Sequence, residues 1–316
     1  MKMKASAITA AMLLALTAQT VSAADAVGYN VVTVPTNSDV LVSVPFNQQA
    51  VGSFTVVSVT GSGVTVADTL TANAYTNGYY VRFTTGGGEG LWSTISANGT
   101  GGFTLSDTAV LSYVTAGNEF RVYKHHTLAS MFPKGMYGIS YTNGTKVLVY
   151  ENNRAVMGQN KTAAKTATYS ATGGGRWTGS GVTTNTIIAP ETQFIIRNVS
   201  ATTLTLINQG IVPDYSVSTL IAANGDLVIG SGYPVPVLLK NSGLGGVNNR
   251  KVLFFDNSAT GQNKSALKTA TYSTTGGGRW TGSGVTTNEL INPSAAVTFR
   301  LPSGETGTKV TLNKPY

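Results

Sequence analysis

Residues 158–185 read GQNKTAAKTATYSATGGGRWTGSGVTTN, and residues 261–288 read GQNKSALKTATYSTTGGGRWTGSGVTTN. The two stretches differ only at Thr162/Ser265, Ala164/Leu267 and Ala171/Thr274. A repeat this close sets the architecture before any single residue is given a role, because each copy is one structural unit. Near-identity has two origins, recent duplication or continued pressure on both copies, and one sequence does not separate them.

The likeness extends outward from the centre. A strand-like run precedes each copy, Lys146 to Asn152 in one and Lys251 to Asn257 in the other. A second strand follows, from Pro190 through Phe194 to Arg197 and from Pro293 through Val297 to Arg300. The closing strands keep the repeat's offset of 103 residues, so each module is about 100 residues long. Upstream, Val31 to Val34, Val40 to Val44 and Ser53 to Val59 are short β-branched runs, with turn signals at Gly61-Ser62-Gly63 and Asn77-Gly78. Runs of this kind predict an all-β sandwich or barrel. Gly86-Gly87-Gly88 followed by Trp92 resembles the Gly-Gly-Gly-Arg-Trp order and suggests a distant third copy. Two short helical turns are expected, Thr127 to Phe132 before Pro133 and Ser216 to Ala223 before Asn224-Gly225.

The first residues have another destination. Lys2 and Lys4 precede the apolar run Ala5 to Leu16, and Thr20-Val21-Ser22-Ala23 ends it. Positive, then apolar, then small residues form the secretory signal pattern, with cleavage expected after Ala23. Polar Thr17, Gln19 and Thr20 cut the run well short of the roughly 20 residues that span a bilayer. The expected division is a signal peptide 1–23, an N-terminal β module 24–125, a module with the first repeat 126–213 and a module with the second 214–316. An exported product follows, extracellular, cell-surface or periplasmic, with no integral membrane segment once the leader is removed.

Composition narrows the chemistry. There is no cysteine, which removes disulfides, thiolate metal sites and a cysteine nucleophile. The formal net charge is +8, but Lys and Arg stand singly among polar residues. A nucleic-acid face wants a basic cluster beside stacking aromatics, and none is visible. Attraction to polysaccharide or cell envelope suits dispersed charge better.

From GQNK-S-A (261–266), Tyr272, Gly278-Arg279-Trp280 and the closing Pro293-to-Arg300 strand, the chain resembles an uncharacterised family of exported β-rich proteins found in Verrucomicrobia and related bacteria. The mature start AVGYNVVTVPTNSDVLVSVPF and the His126-Thr127-Leu128 … Phe132-Pro133 turn fit as well. The resemblance implies export and a β-rich fold over the whole mature chain. It brings no activity, cofactor or catalytic residue. The extended Gly-Gly-Gly-Arg-Trp loops depart from the pattern in being so alike between copies.

Enzyme chemistry fares poorly. His125 and His126, the only histidines, are adjacent and on a strand would point to opposite faces. Glu151 and Asp256 hold matching places, but each module has only one, and glycoside hydrolysis needs two carboxyl groups about one bond. The triple glycines lack the Gly-Lys-Ser/Thr and the helix of a phosphate loop, so a wide turn between strands is the better reading. No cofactor is expected.

The sharpest candidate ligand-binding set is Tyr169, Arg176 and Trp177 with Tyr272, Arg279 and Trp280. Exposed indoles would stack on sugars, whereas buried ones would plug the module cores with the Arg stems lying across them. The leading expectation is an exported, non-catalytic structural or surface protein that self-associates through strand edges in an envelope layer, fibre or matrix. The second is a carbohydrate-binding protein that uses the paired loops. The mature N-terminal strand, Val27 to Pro35, is apolar and nearly uncharged, with no evident partner in the duplicated part. It would close its own first module or add to the terminal module of a neighbour.

Overall fold

The computed structural model of the chain describes residues 25–44, 46–133, 141–150, 159–160, 162–286, 288–293 and 295–316. The expected signal peptide, residues 1–23, and Glu151 lie outside these residues. The fold is all-β, built from antiparallel sheets with short helical turns between them.

The chain opens with β1 (Val27–Val34) and β2 (Asp39–Val42). Seven strands follow: β3 (Ala50–Thr55), β4 (Ser58–Val59), β5 (Gly63–Thr65), β6 (Tyr79–Phe83), β7 (Trp92–Asn98), β8 (Gly102–Leu105) and β9 (Glu119–Lys124). Next come β10 (His126–Thr127), helix α1 (Leu128–Met131), β11 (Lys146–Tyr150), β12 (Lys165–Ser170), β13 (Arg176–Thr178), β14 (Ile187–Ile188), β15 (Gln193–Arg197) and β16 (Leu204–Ile211). The last third holds β17 (Val217–Ile221), β18 (Asp226–Gly230), β19 (Val237–Leu238), β20 (Lys251–Phe254), β21 (Lys268–Ser273), β22 (Arg279–Thr281), β23 (Leu290–Ile291), β24 (Ala296–Arg300) and β25 (Thr308–Leu312).

Strand pairing revises the division into chain-order modules. β1 pairs along its whole length with β16, and β2 lies against β15, so the first two strands belong to the unit that carries the first repeat. The resulting five-stranded sheet has the order β13-β12-β11-β15-β2. The last unit has β22-β21-β20-β24-β18, with β17 paired to β25 and β19 to β23 as β1 is to β16 and β10 to β14. The duplicated unit therefore begins at β1 and again at β17. In the second copy six residues, 231–236, join β18 to β19. In the first copy the matching connection, 43–125, holds the whole sheet β3-β9-β6-β7-β8-β5-β4. That seven-stranded unit is an insertion into copy one.

Its strand order also removes the expected third copy, since it shares neither the five-stranded order nor the Trp environment of the repeat. Loop closure over long separations costs only slowly more with length, so an insert of this size at a surface connection is tolerated.

The helix expected over Ser216–Ala223 is strand β17. Val217, Thr219 and Ile221 are β-branched and alternate inward, and the pairing with β25 supplies hydrogen bonds that one helical turn would not. The other expected turn forms: Thr127 caps α1 in a reciprocal capping box with Ser130 before Pro133 stops it. Turns between the first two strands of each copy also match, with Asn37 and Asn224 both at positive φ.

Each copy closes around its own core. Copy one buries Val32, Val34, Val147, Trp177, Phe194 and Ile196, and copy two buries Val217, Ile221, Val252, Trp280, Val297 and Phe299. The insert packs Phe83, Ile95, Phe103 and Phe120 together, and Leu220 of β17 joins that cluster. No helix among the described residues is long and apolar enough to cross a membrane.

Candidate functional site

The repeat loops come first because the sequence singles them out. β12 and β13 are joined by a turn in which Gly173, Gly174 and Gly175 all take positive φ, as do Gly276, Gly277 and Gly278 in copy two. Register places Tyr169 opposite Trp177 and Tyr272 opposite Trp280. The rings meet edge-on at 5.3 and 5.2 Å, with interplanar angles of 66° and 67°. The indoles are 3% and 8% exposed, so both lie in the module cores and in matching environments. The Trp177 indole N–H donates to the Phe132 carbonyl at 3.2 Å. Period-two alternation explains the rest: with Trp inward, Arg176 and Arg279 turn outward and are exposed. The structure thus joins each Tyr to its Trp and separates both from the Arg. A stacking platform built on the indoles is not presented.

A second arrangement was not visible from either repeat alone. Asp39 on β2 receives Arg197 of β15 in a two-pronged pair, Nε to Oδ1 at 2.8 Å and Nη2 to Oδ2 at 2.7 Å. Asn263, from the repeat of copy two, completes it: its backbone N–H donates to Asp39 Oδ2 at 2.8 Å and its Oδ1 accepts from Arg197 at 2.7 Å. The reciprocal contact holds Asp226 and Arg300 of copy two, with Nε to Oδ1 at 2.6 Å and Nη2 to Oδ2 at 2.7 Å. There Asn160 of copy one donates its backbone N–H to Asp226 at 2.8 Å and accepts from Arg300 at 2.8 Å. Both Asn residues sit at φ +53°. Each copy therefore inserts its GQNK loop into the other's Asp–Arg pair, about a pseudo-two-fold axis.

The hydrogen bond that Arg197 donates to Asp39 raises the Arg197 pKa, and the one to Asp226 does the same for Arg300. Asn257 strengthens the contact by pairing with both backbone groups of Leu41, at 2.9 and 2.8 Å. A cleft of about 280 Å³ lies between the clasps, floored by Leu41, Ile195, Val228 and Phe255. The signal available in the sequence was the closing Arg at one offset and the Asp two residues after each turn Asn. Their meeting with a loop of the other copy had no local signature.

A third cluster joins the insert to both copies. Glu191, at φ +56°, accepts Arg82 of β6 at 2.6 Å, the Trp92 indole N–H at 2.7 Å and the Thr219 hydroxyl at 2.8 Å. Arg82 also donates to the Gly90 carbonyl at 2.8 Å. Burial alone would lower the guanidinium pKa, but Glu191 and the flanking Tyr215 and Tyr80 more than reverse this. The pair is held charged, and removing one member leaves an uncompensated charge.

His125 packs against Tyr80 at 4.9 Å and its Nε2 lies 3.0 Å from the Thr94 hydroxyl, while His126 faces Ser130 at 3.3 Å. Burial lowers both pKa values to about 4, with His126 adding to the effect on His125. No group of three metal-ligating side chains occurs among the described residues. Asp256 is half-buried and accepts from the Ser258 hydroxyl and amide, at 2.6 and 2.8 Å, and from the Ala259 amide, which lowers its pKa. That is the role of a turn residue.

Compared with known protein families, with characterised proteins and with solved structures, the chain finds no match.

Proposed function

We propose that this is an exported, non-catalytic structural protein of a surface layer or matrix, and that it associates with its own kind through the edge of β1. The observation that carries the reading is that edge. The Val212 amide donates to the Ala26 carbonyl, which fixes even-numbered residues of β1 as those bonded to β16. The N–H and C=O groups of Val27, Tyr29, Val31 and Thr33 then point away from the sheet. Among the described residues no strand pairs with them. The side chains of the same positions are apolar and bare: Val27 is 73% exposed, Tyr29 72% and Val31 56%. An open edge with apolar side chains is a template for another strand.

The buried carboxylates Asp39, Asp226 and Glu191 are each engaged by an arginine, which suits a structural role. Export rests on the signal pattern and the family resemblance. β1 already closes copy one through Val32 and Val34, so it adds to a neighbour by its free edge and is not released. Deleting it would open the core.

The test is therefore Val31→Lys, an inward-neutral change that places charge on the edge. In sedimentation velocity the mature protein should associate at high micromolar concentration, and the variant should remain monomeric with unchanged thermal unfolding. A mature protein that is monomeric throughout this range would sink the proposal.

A further inference from the structure

The duplicated units have not diverged evenly. With β1 set on β17 by pairing register, residues 27–44 and 214–231 share only Asn37/Asn224 and Asp39/Asp226. Gln193–Arg197 and Ala296–Arg300 share only the Arg, although both strands are central and buried. Between them lie the repeats, with three differences in 28 residues. Recent duplication alone does not account for this, because the flanking strands of the same unit have had the same time to change.

Internal contacts account for part of the retained stretch. The GQNK loops form the clasps, and Tyr, Trp and Val182/Val285 fill the cores. In the exposed turn after β12 and β21 the glycines are kept by backbone conformation, since all of them take positive φ. At Gly173, Gly276 and Gly277 an added side-chain carbon would meet nothing within 4 Å, so the left-handed backbone and not crowding holds glycine there. Exposed loops normally vary most, and cores accept volume-conserving changes. Here the buried flanking strands changed and the three differences within the repeat are all exposed, while outward Ser170/Ser273, Arg176/Arg279 and Thr178/Thr281 are identical with no core contact to hold them.

Register shows what that surface displays. Across the outer face of copy one, Asp39, Arg197, Lys146, Thr168 and Thr178 stand side by side on adjacent strands. Across copy two the same row reads Asp226, Arg300, Lys251, Thr271 and Thr281. The next rung carries Ser170 beside Arg176, and Ser273 beside Arg279. The Asp is neutralised by its Arg in each clasp. Lys146, Arg176, Lys251 and Arg279 have no ion-pair partner among the described residues. Beyond the clasp, each copy thus presents Thr and Ser hydroxyls with two cations that lack an ion-pair partner among the described residues, and the second copy repeats the pattern.

We infer that these two faces, Lys146–Arg176 and Lys251–Arg279 with their Ser and Thr neighbours, are paired binding sites for one chain of an acidic polysaccharide. Cations meet its carboxylates or sulfates and the hydroxyls bond its sugar oxygens, without any exposed indole. Two equal sites on one rigid body favour a ligand that repeats, since the second contact is made at the effective concentration set by the first. The inference rests on the proposed export only for where such a polymer is met.

The probe is immobilised long-chain polygalacturonate, with dextran of similar length as the neutral control, read by surface plasmon resonance at a concentration where sedimentation finds monomer. Retention on polygalacturonate alone is expected, weakening about tenfold or more between 50 and 200 mM salt as exposed charges are screened. Arg176→Gln and Arg279→Gln should each weaken it by about tenfold or more through lost avidity, and to a similar degree. The double variant should abolish it with unchanged thermal unfolding. Short oligogalacturonides should bind weakly and lose little in either single variant. Equal retention on dextran, unchanged retention in the double variant, or loss only together with unfolding would overturn the inference. Val31→Lys should keep full retention, which separates a failure here from a failure of self-association.

Discussion

In copy two the outward edge of β17 is closed by the insert: the Ser216 amide and the Ser218 hydroxyl both bond to Glu89, at 2.7 Å each. Gly90 approaches so closely that a side-chain carbon would collide with the Ser216 carbonyl and the Ser218 amide. In copy one the same edge belongs to β1 and faces solvent with Val27, Tyr29 and Val31. The two copies share a strand order and differ in what covers them. The insert grows out of copy one yet covers copy two, so one duplicated edge is closed within the chain and its twin is left open. Leu220, buried in the insert's core, stands where β1 has exposed Thr33. Outward positions of these strands were thus set by their different neighbours, while the inward pair Val34/Ile221 stayed apolar.

The strongest way to break this comparison is through the tryptophans. Trp177→Ala and Trp280→Ala should each destabilise by about 3–5 kcal/mol in denaturant melts, as for other core aromatics. Trp177 should be the costlier because its loss also leaves the Phe132 carbonyl without its donor. A near-neutral result at either position would show that the copies do not share a core.

The clasps sharpen the comparison next. Asp39→Asn and Asp226→Asn should each cost about 2–4 kcal/mol, below the full value for a buried pair because the arginines are partly exposed. Both lesions loosen the same contact between copies, so the double variant should cost less than the sum by about 0.5–2 kcal/mol. Strict additivity would mean that the clasps act independently.

The smallest effect separates the copies by pH. His125 and His126 have folded pKa values of about 4, below the ordinary 6.5. Between these values the unfolded chain binds protons that the native state refuses, so stability is fully present above about pH 6.5 and declines as pH falls toward 4. By pH 5.5 the loss from the two together should be about 1–3 kcal/mol. Copy two has Val237 where copy one has His126, opposite Ile291 and Ile188 respectively. Hydrogen exchange at pH 5 should therefore loosen copy one and the insert before copy two, and His126→Val should reduce the difference.

Much of this was readable along the chain. The repeat announced duplicated units, β-branched alternation announced strands, and the Thr127–Pro133 signals placed α1. Tyr169 and Trp177 were legible as a pair, but whether their face was core or solvent was not, because period two states only that Arg176 takes the opposite side. The Ser216–Ala223 reading failed for a related reason: one turn's worth of capping residues is weak against a partner strand about 90 residues away.

The sequence by itself determined that a stretch is repeated, the β class and the alternation that puts Trp and Arg on opposite faces, since these are written in neighbours a few residues apart. Only the tertiary structure decided that β1 belongs with β16 across about 180 residues, that the seven-stranded unit interrupts copy one, and that each Asn loop closes the other copy's Asp–Arg pair. Those choices depend on which distant surfaces bury one another. A strand's own residues carry its two faces but not the identity of what will cover them.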